Sequence, residues 1–140
     1  MTNRRLAYIV KDQQPLILSE DDPVQLACKS MAERRAGSVL VVDGAQRLAG
    51  IFTGRDAVRA MSACRDPKTT RLGDVMTRNP VTVPPDARAI DALRAMCDGG
   101  FRHVPVVENG VIWGIVSRGD FKGLEIDRFD DEQHLWECIR

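Results

Sequence analysis

Aromatic side chains are scarce, with Phe, Trp and Tyr together at 5% of the chain. Proteins that hold single-stranded nucleic acid stack its bases on aromatic faces set among basic residues, and that interleaving is missing here. An excess of positive charge is missing too, since Lys+Arg and Asp+Glu stand at 20 each. Arg4, Arg5, Arg34, Arg35 and Arg71 therefore build no basic field that would draw in a polyanion, and no nucleic-acid partner is expected. Cysteine is limited to Cys28, Cys64, Cys97 and Cys138, with no C-x-x-C pair. That spacing suits neither a zinc site nor a compact disulfide framework, so all four read as reduced and mostly packing. The two histidines, His103 and His134, have no nucleophile or acid–base partner beside them in sequence. With no glycine-rich phosphate loop and no metal-ligand cluster, an enzyme is the least favoured class. No apolar run nears the ~20 residues that span a bilayer, and no signal-type hydrophobic stretch follows Arg4-Arg5. The expectation is a cytoplasmic globular protein with no membrane partner.

What the chain does contain is one phrase written twice. Gly50-Ile51-Phe52-Thr53-Gly54-Arg55-Asp56 returns as Gly114-Ile115-Val116-Ser117-Arg118-Gly119-Asp120. Each reads as glycine, two apolar residues, a hydroxyl residue, two spacers and an aspartate. A strand that enters a helix through Ser or Thr gathers that hydroxyl and the first free backbone N–H groups at one point, where an anion is favoured. The aspartate three residues on offers two acceptor oxygens to a neighbouring pair of hydroxyls. Phosphate at one end and a diol at the other would suit a ribonucleotide. The same spacing is also a helix-capping signature, and for one copy alone capping is the better reading. The two roles are compatible, because both use the same N–H groups.

The repeat extends beyond the motif. A shift of 65 positions carries Val10 onto Val75, Pro15 onto Pro80, Asp21 onto Asp86, Ala27 onto Ala92, Met31 onto Met96 and Val39 onto Val104. One residue fewer in the second hairpin loop makes the shift 64 at the motifs themselves. In the first copy, Pro15 to Leu18 reads as a strand. Asp22 reads as an N-cap before Pro23, with a helix carrying Val24, Ala27, Cys28 and Met31 on one face and ending near Gly37. Ser38 to Val42 and Leu48 to Phe52 form a hairpin over Asp43-Gly44, and Thr53 opens a helix with Ala57, Val58 and Met61 on its apolar face. In the second copy the corresponding strand is Val81 to Val83. The helix runs from about Arg88 to Cys97 with Ile90, Leu93 and Met96 buried, and the hairpin turns at Asn109-Gly110. Leu6 to Val10 is a packed segment ahead of the first copy. A unit of about 60 residues hides only about 60% of its unfolded surface. The two copies are therefore expected to pack sheet to sheet as pseudo-symmetric β-α-β-β-α repeats of α/β (α+β) class. The expected division is 6–62 for the first repeat, 63–72 for a polar linker, 73–124 for the second repeat and 125–140 for a helical tail.

These motifs, in this order and twice over, resemble the CBS-domain family, whose tandem pairs are called Bateman modules. The Pro80-Val81-Thr82-Val83 stretch and the Arg102-His103-Val104-Pro105-Val106-Val107 strand carry the resemblance as much as the two Gly-to-Asp motifs do. It implies a stand-alone, non-catalytic regulatory module that binds an adenosine-containing ligand in clefts between the repeats. AMP, ADP or ATP is favoured, with NAD and S-adenosylmethionine as other members of the class. Residue by residue, the resemblance places ribose on Asp56 and Asp120 and phosphate near Thr53, Ser117, Arg102 and His103. It places adenine against Leu16, Ile17, Leu18, Val81, Thr82, Val83 and Pro105. Arg55 and Arg118, spacers inside the motifs, either aid phosphate binding or are solvated. His103 is either a phosphate contact or a satisfied strand histidine. The first-copy counterparts of Arg102 and His103 are Gly37 and Ser38, so the two sites are expected to be unequally equipped.

The resemblance also implies a homodimer and an unnamed regulated protein. In the tail, Asp130 and Gln133 have capping-box spacing, and Leu135, Trp136 and Ile139 form an apolar stripe. So short a helix must dock, on its own chain or on a partner. The competing expectation is a homodimeric interaction module with one or both clefts inactive.

Overall fold

The structure, a computed structural model, describes residues 3–121. The expected tail helix, with Asp130, Gln133, Leu135, Trp136 and Ile139, and also Cys138 and His134, lie outside the described residues. In chain order the elements are α1 (Leu6–Val10), β1 (Ile17–Ser19), α2 (Val24–Arg34), β2 (Ser38–Val42), β3 (Leu48–Thr53), α3 (Gly54–Ser62), α4 (Leu72–Val75), β4 (Thr77–Arg78), α5 (Ala89–Gly99), β5 (His103–Glu108), β6 (Val111–Ser117) and a 3-10 turn (Arg118–Asp120). The class is mixed α/β with two separate sheets. Pro15–Pro80 make one compact unit; of the described residues, 3–14 together with 81–121 make the other.

In the Pro15–Pro80 unit the sheet order is β1-β2-β3-β4. β2 is central and buried throughout, which is why Val39-Leu40-Val41-Val42 is an unbroken β-branched and aliphatic run rather than an alternating one. β1 pairs with it in parallel, and β3 antiparallel with Val41 opposite Gly50 and Ser38 opposite Thr53. α2 lays Val24, Ala27 and Met31 against this sheet, and Phe52 and Leu72 complete the core at 0% exposure. Two helix ends differ from expectation. Asp22 does not cap α2, because its Oδ2 accepts from the Ser19 N–H at 2.9 Å, and Pro23 stands at the N-cap. The helix ends not at Gly37 but at Arg35, left-handed with φ 53°, where the Ala36 N–H reaches back to the Met31 carbonyl at 3.0 Å. In α3 the buried positions are Asp56 and Ala60; of the expected face, Ala57 packs half-buried against the core, while Val58 and Met61 point outward at 69% and 80% exposure. The polar stretch after α3 packs back on the unit: the Thr70 carbonyl accepts from the Val24 N–H at 2.9 Å, and Thr70 is buried.

β4 closes the far edge, with Gly50 opposite Arg78 and Ile51 opposite Thr77. Gly50 permits that approach, since a Cβ there would lie 2.6 Å from Met76 Sδ and 2.6 Å from the Thr77 carbonyl oxygen. Because one of those neighbours is backbone, Gly50→Ala is expected to cost about 1–3 kcal/mol. A fall in the urea midpoint checks this; an unchanged midpoint would mean that β4 simply moves aside.

In the other unit, β5 and β6 form a hairpin with His103 opposite Ser117. It turns at Asn109-Gly110, both at positive φ (51° and 79°), as a two-residue type I′ turn requires. α5 buries Ile90, Leu93 and Met96 as its spacing predicts, together with Ala89 and Ala92. The strand expected over Val81 to Val83 shrinks to one bridge, Val83 to Val106, in which the Val83 N–H donates to Pro105 O at 3.1 Å and its carbonyl accepts from Val107 N–H at 3.0 Å. Pro80, Pro84 and Pro85 have no N–H to extend it. The segment ahead of the first repeat folds here. α1 puts Leu6 and Val10 into this core, and the Gln13 amide clips the outer edge of β6, donating to Ile115 O at 2.7 Å and accepting from Ile115 N–H at 2.9 Å. Thus each sheet's outer edge is completed by chain that leads into the opposite repeat. Among the cysteines, Cys28 and Cys64 are free thiols, but Cys97 is disulfide-bonded, which corrects the expectation of reduced cysteines throughout. Burial pushes the Cys28 thiol up, consistent with a packing role.

Candidate functional site

The first motif forms where β3 enters α3. Thr53 is the N-cap, extended at φ −121°, and the capping box is complete. The Thr53 N–H donates to Asp56 Oδ2 at 2.9 Å and its hydroxyl donates to the same oxygen at 3.2 Å. The second carboxylate oxygen, Oδ1, accepts from the Thr77 hydroxyl at 3.1 Å and lies 3.9 Å from the Arg59 guanidinium. Asp56 is 2% exposed. Arg55 is exposed. Leu16 and Leu18 of the β1 region are half-buried, and Ile17 faces out at 42%. Ser38, at the position of His103, is buried, and Gly37 brings no cation.

The second motif forms at the end of β6. The Ser117 N–H donates to Asp120 Oδ2 at 2.7 Å, and the Ser117 hydroxyl donates to it at 3.2 Å. Asp120 is only partly buried, and no donor among the described residues reaches its Oδ1. The hairpin register sets His103 opposite Ser117, and the Arg118 N–H donates to Arg102 O at 3.1 Å. Arg102, His103, Ser117, Arg118 and Asp120 are therefore gathered at one end of one hairpin. Arg4, counted from sequence only as a scattered base, belongs here too, its guanidinium Nη2 donating to the Asp120 carbonyl oxygen at 2.9 Å. Only long-range packing reveals it, because Arg4 lies far from the motif in sequence. Val83 and Pro105 are buried beside this hairpin, whereas Val81 and Thr82 are exposed and outside any strand.

His103 has its pKa lowered, first by burial and then by the Arg102 guanidinium, with the Asp120 carboxylate pulling the other way. The shift favours the uncharged imidazole, which can donate one N–H to an anion but adds no positive charge. Positive charge at this end comes from arginine. Among the described residues, no three His, Cys, Asp or Glu side chains are placed to hold a metal ion. None of the described helices is long and apolar enough to cross a membrane.

A hydroxyl–aspartate capping box at the end of a strand, leading into α3 in one copy and into a 3-10 turn in the other, marks the chain as a duplicated α/β repeat. The CBS domain matches residues 8–63 and again residues 72–125, and the chain belongs to that family as a tandem pair. A CBS domain-containing protein of Arabidopsis thaliana is 45% identical over 103 residues, which are 73% of this chain and 19% of that protein. The chain thus spans about a fifth of the length of the curated relatives it matches first. Among solved structures, a CBS-domain protein of Burkholderia ambifaria superposes with TM-score 0.78 at 32% identity, covering 93% of this chain and 97% of that one. A CBS domain protein of Pyrobaculum aerophilum, complexed with AMP, superposes with TM-score 0.83 at 22% identity over 91% of this chain and 99% of that one. At that identity the likeness shows the fold alone.

Proposed function

We propose that this CBS pair is a non-catalytic sensor that binds an adenosine-containing nucleotide and passes its bound state to a regulated protein, working as a homodimer. The observation that carries this is the cluster at the second motif: a partly open carboxylate for a diol, a hydroxyl beside it, and Arg102 and Arg118 on the same hairpin end. The AMP held by the Pyrobaculum aerophilum protein supports the ligand class. AMP, ADP or ATP is favoured over NAD, and the arginines disfavour the cationic sulfonium of S-adenosylmethionine. Signalling needs only that the ligand bind one arrangement of the module better than another. Calorimetric titration with these five compounds tests the proposal. Heat from at least one adenine nucleotide is expected, and silence from all five would overturn it.

A second reading, a homodimeric interaction module with an inactive cleft, is favoured by the internally occupied Asp56 and by the outward Val58 and Met61. A dimer mass by light scattering, with no heat from any of the five ligands, would select it. The cytoplasm is the compartment proposed for either reading. The free thiols of Cys28 and Cys64 support a reducing compartment and the disulfide at Cys97 stands against it; counting thiols in protein quenched in acid from cells decides.

A further inference from the structure

We propose that Thr77 decides which of the two motif aspartates is open to a ribose diol, an inference that rests on the nucleotide reading above. An ionised carboxylate offers about four lone-pair positions and donates nothing. In both motifs Oδ2 is taken by the local cap, from Thr53 in one and from Ser117 in the other. A diol must therefore find its acceptors on Oδ1. At Asp56 that oxygen already accepts from the Thr77 hydroxyl at 3.1 Å, with Arg59 3.9 Å away. Thr77 is held there by β4, whose register sets it opposite Ile51. Its hydroxyl takes one of the two Oδ1 lone-pair positions that a diol would need.

The other unit covers the corresponding edge differently, with no strand among the described residues in place of β4 and with Asp12 in a turn after α1. Its β6 edge is also covered by the leading segment of the opposite repeat, through Gln13 on Ile115. The 65-residue shift that aligns Val10 with Val75 puts Asp12 in the place of Thr77. Asp12 is exposed. As a carboxylate it has no proton to give Asp120, and its charge opposes approach to another carboxylate. Thus Thr in one copy and Asp in the other separate a latched aspartate from an open one.

The test is calorimetric titration with AMP of the full chain and of Thr77→Val, Asp120→Asn and the double variant. One equivalent is expected for the wild type, and for Asp120→Asn only residual binding, weakened by up to about 100-fold. Thr77→Val should take up a second equivalent, and the double variant should keep one. Three results would overturn the proposal while leaving the nucleotide reading intact. Thr77→Val could bind one equivalent like the wild type, it could bind more weakly because the hydroxyl serves the ligand, or Asp120→Asn could still bind at wild-type affinity through Asp56. Silence from all four proteins overturns the nucleotide reading and this proposal with it. Thermal melting gives a ligand-free check. The shifts caused by Thr77→Val and Asp56→Asn should be less than additive in the double variant, and simple additivity would show that hydroxyl and carboxylate are uncoupled and sink the latch.

Discussion

Asp56→Ala is expected to destabilise the protein by about 2–4 kcal/mol, while Asp120→Ala costs under about 1 kcal/mol. The difference follows from what each carboxylate leaves behind. Without Asp56, itself 2% exposed, the Thr53 N–H at the head of α3 loses its acceptor, and so do the hydroxyls of half-buried Thr53 and exposed Thr77. Each buried donor left without a partner costs about 1–3 kcal/mol, and loss of a cap adds a similar amount. Arg59 is too exposed, at 68%, for its ion pair with Asp56 to matter much. Asp120 serves a single short turn, and solvent can reach Ser117 once it is gone. Urea unfolding of the two variants measures this: the Asp56 midpoint should fall by about 1–2 M and the Asp120 midpoint by a few tenths. Equal midpoints would show that burial of Asp56 carries no structural weight.

Ligand affinity should run in the opposite order. Asp120→Ala is expected to weaken AMP binding by about 100-fold, because two hydrogen bonds from the ribose to a carboxylate are lost, together worth about 3 kcal/mol. The neighbouring arginines would still hold the phosphate, so residual binding should become more sensitive to salt. Calorimetry of the Asp120→Ala protein at two ionic strengths checks both points. An affinity within threefold of the wild type would falsify the ribose assignment at Asp120. That pair of outcomes would assign one aspartate to the fold and the other to the ligand.

Much of this arrangement is legible in the sequence, and the parts that are not share a cause. The duplicated motif, the α5 face of Ile90, Leu93 and Met96, and the Asn109-Gly110 turn are set by local periodicity and turn chemistry, which need no knowledge of distant chain. Local spacing could not weigh a buried carboxylate as a core residue. Val58 and Met61 therefore looked like the packed face of α3, when the buried side is that of Asp56 and Ala60. Nor could it foresee that Asp22 would turn to Ser19 or that α2 would close on Arg35, since each depends on which of several nearby hydrogen bonds forms. At the candidate site, Ser117 and Asp120 with Arg102 and His103 were readable as a set because one hairpin brings them together. Arg4 and Thr77 were not, since each reaches its aspartate from a segment leading into the opposite repeat. The repeat register did hold a trace of Thr77, because it sets Thr77 and Asp12 at equivalent positions.

The crossed leading segments govern how this chain can be divided. The unit spanning Pro15–Pro80 is continuous and sits as an insertion inside the other, which the backbone leaves after Gln14 and rejoins at Val81. A fragment trimmed to the sequence repeat, 6–62, would lack β4 and expose the β3 edge, leaving Asp56 without Thr77 and inviting strand-on-strand association. A fragment of 15–80 keeps every pairing of its own sheet, and splicing Gln14 directly to Val81 keeps every pairing of the other. The boundaries suited to dissection, to permutation of the termini or to grafting one half onto a new protein are therefore the two junctions beside Pro15 and Pro80, rather than the polar stretch between the repeats.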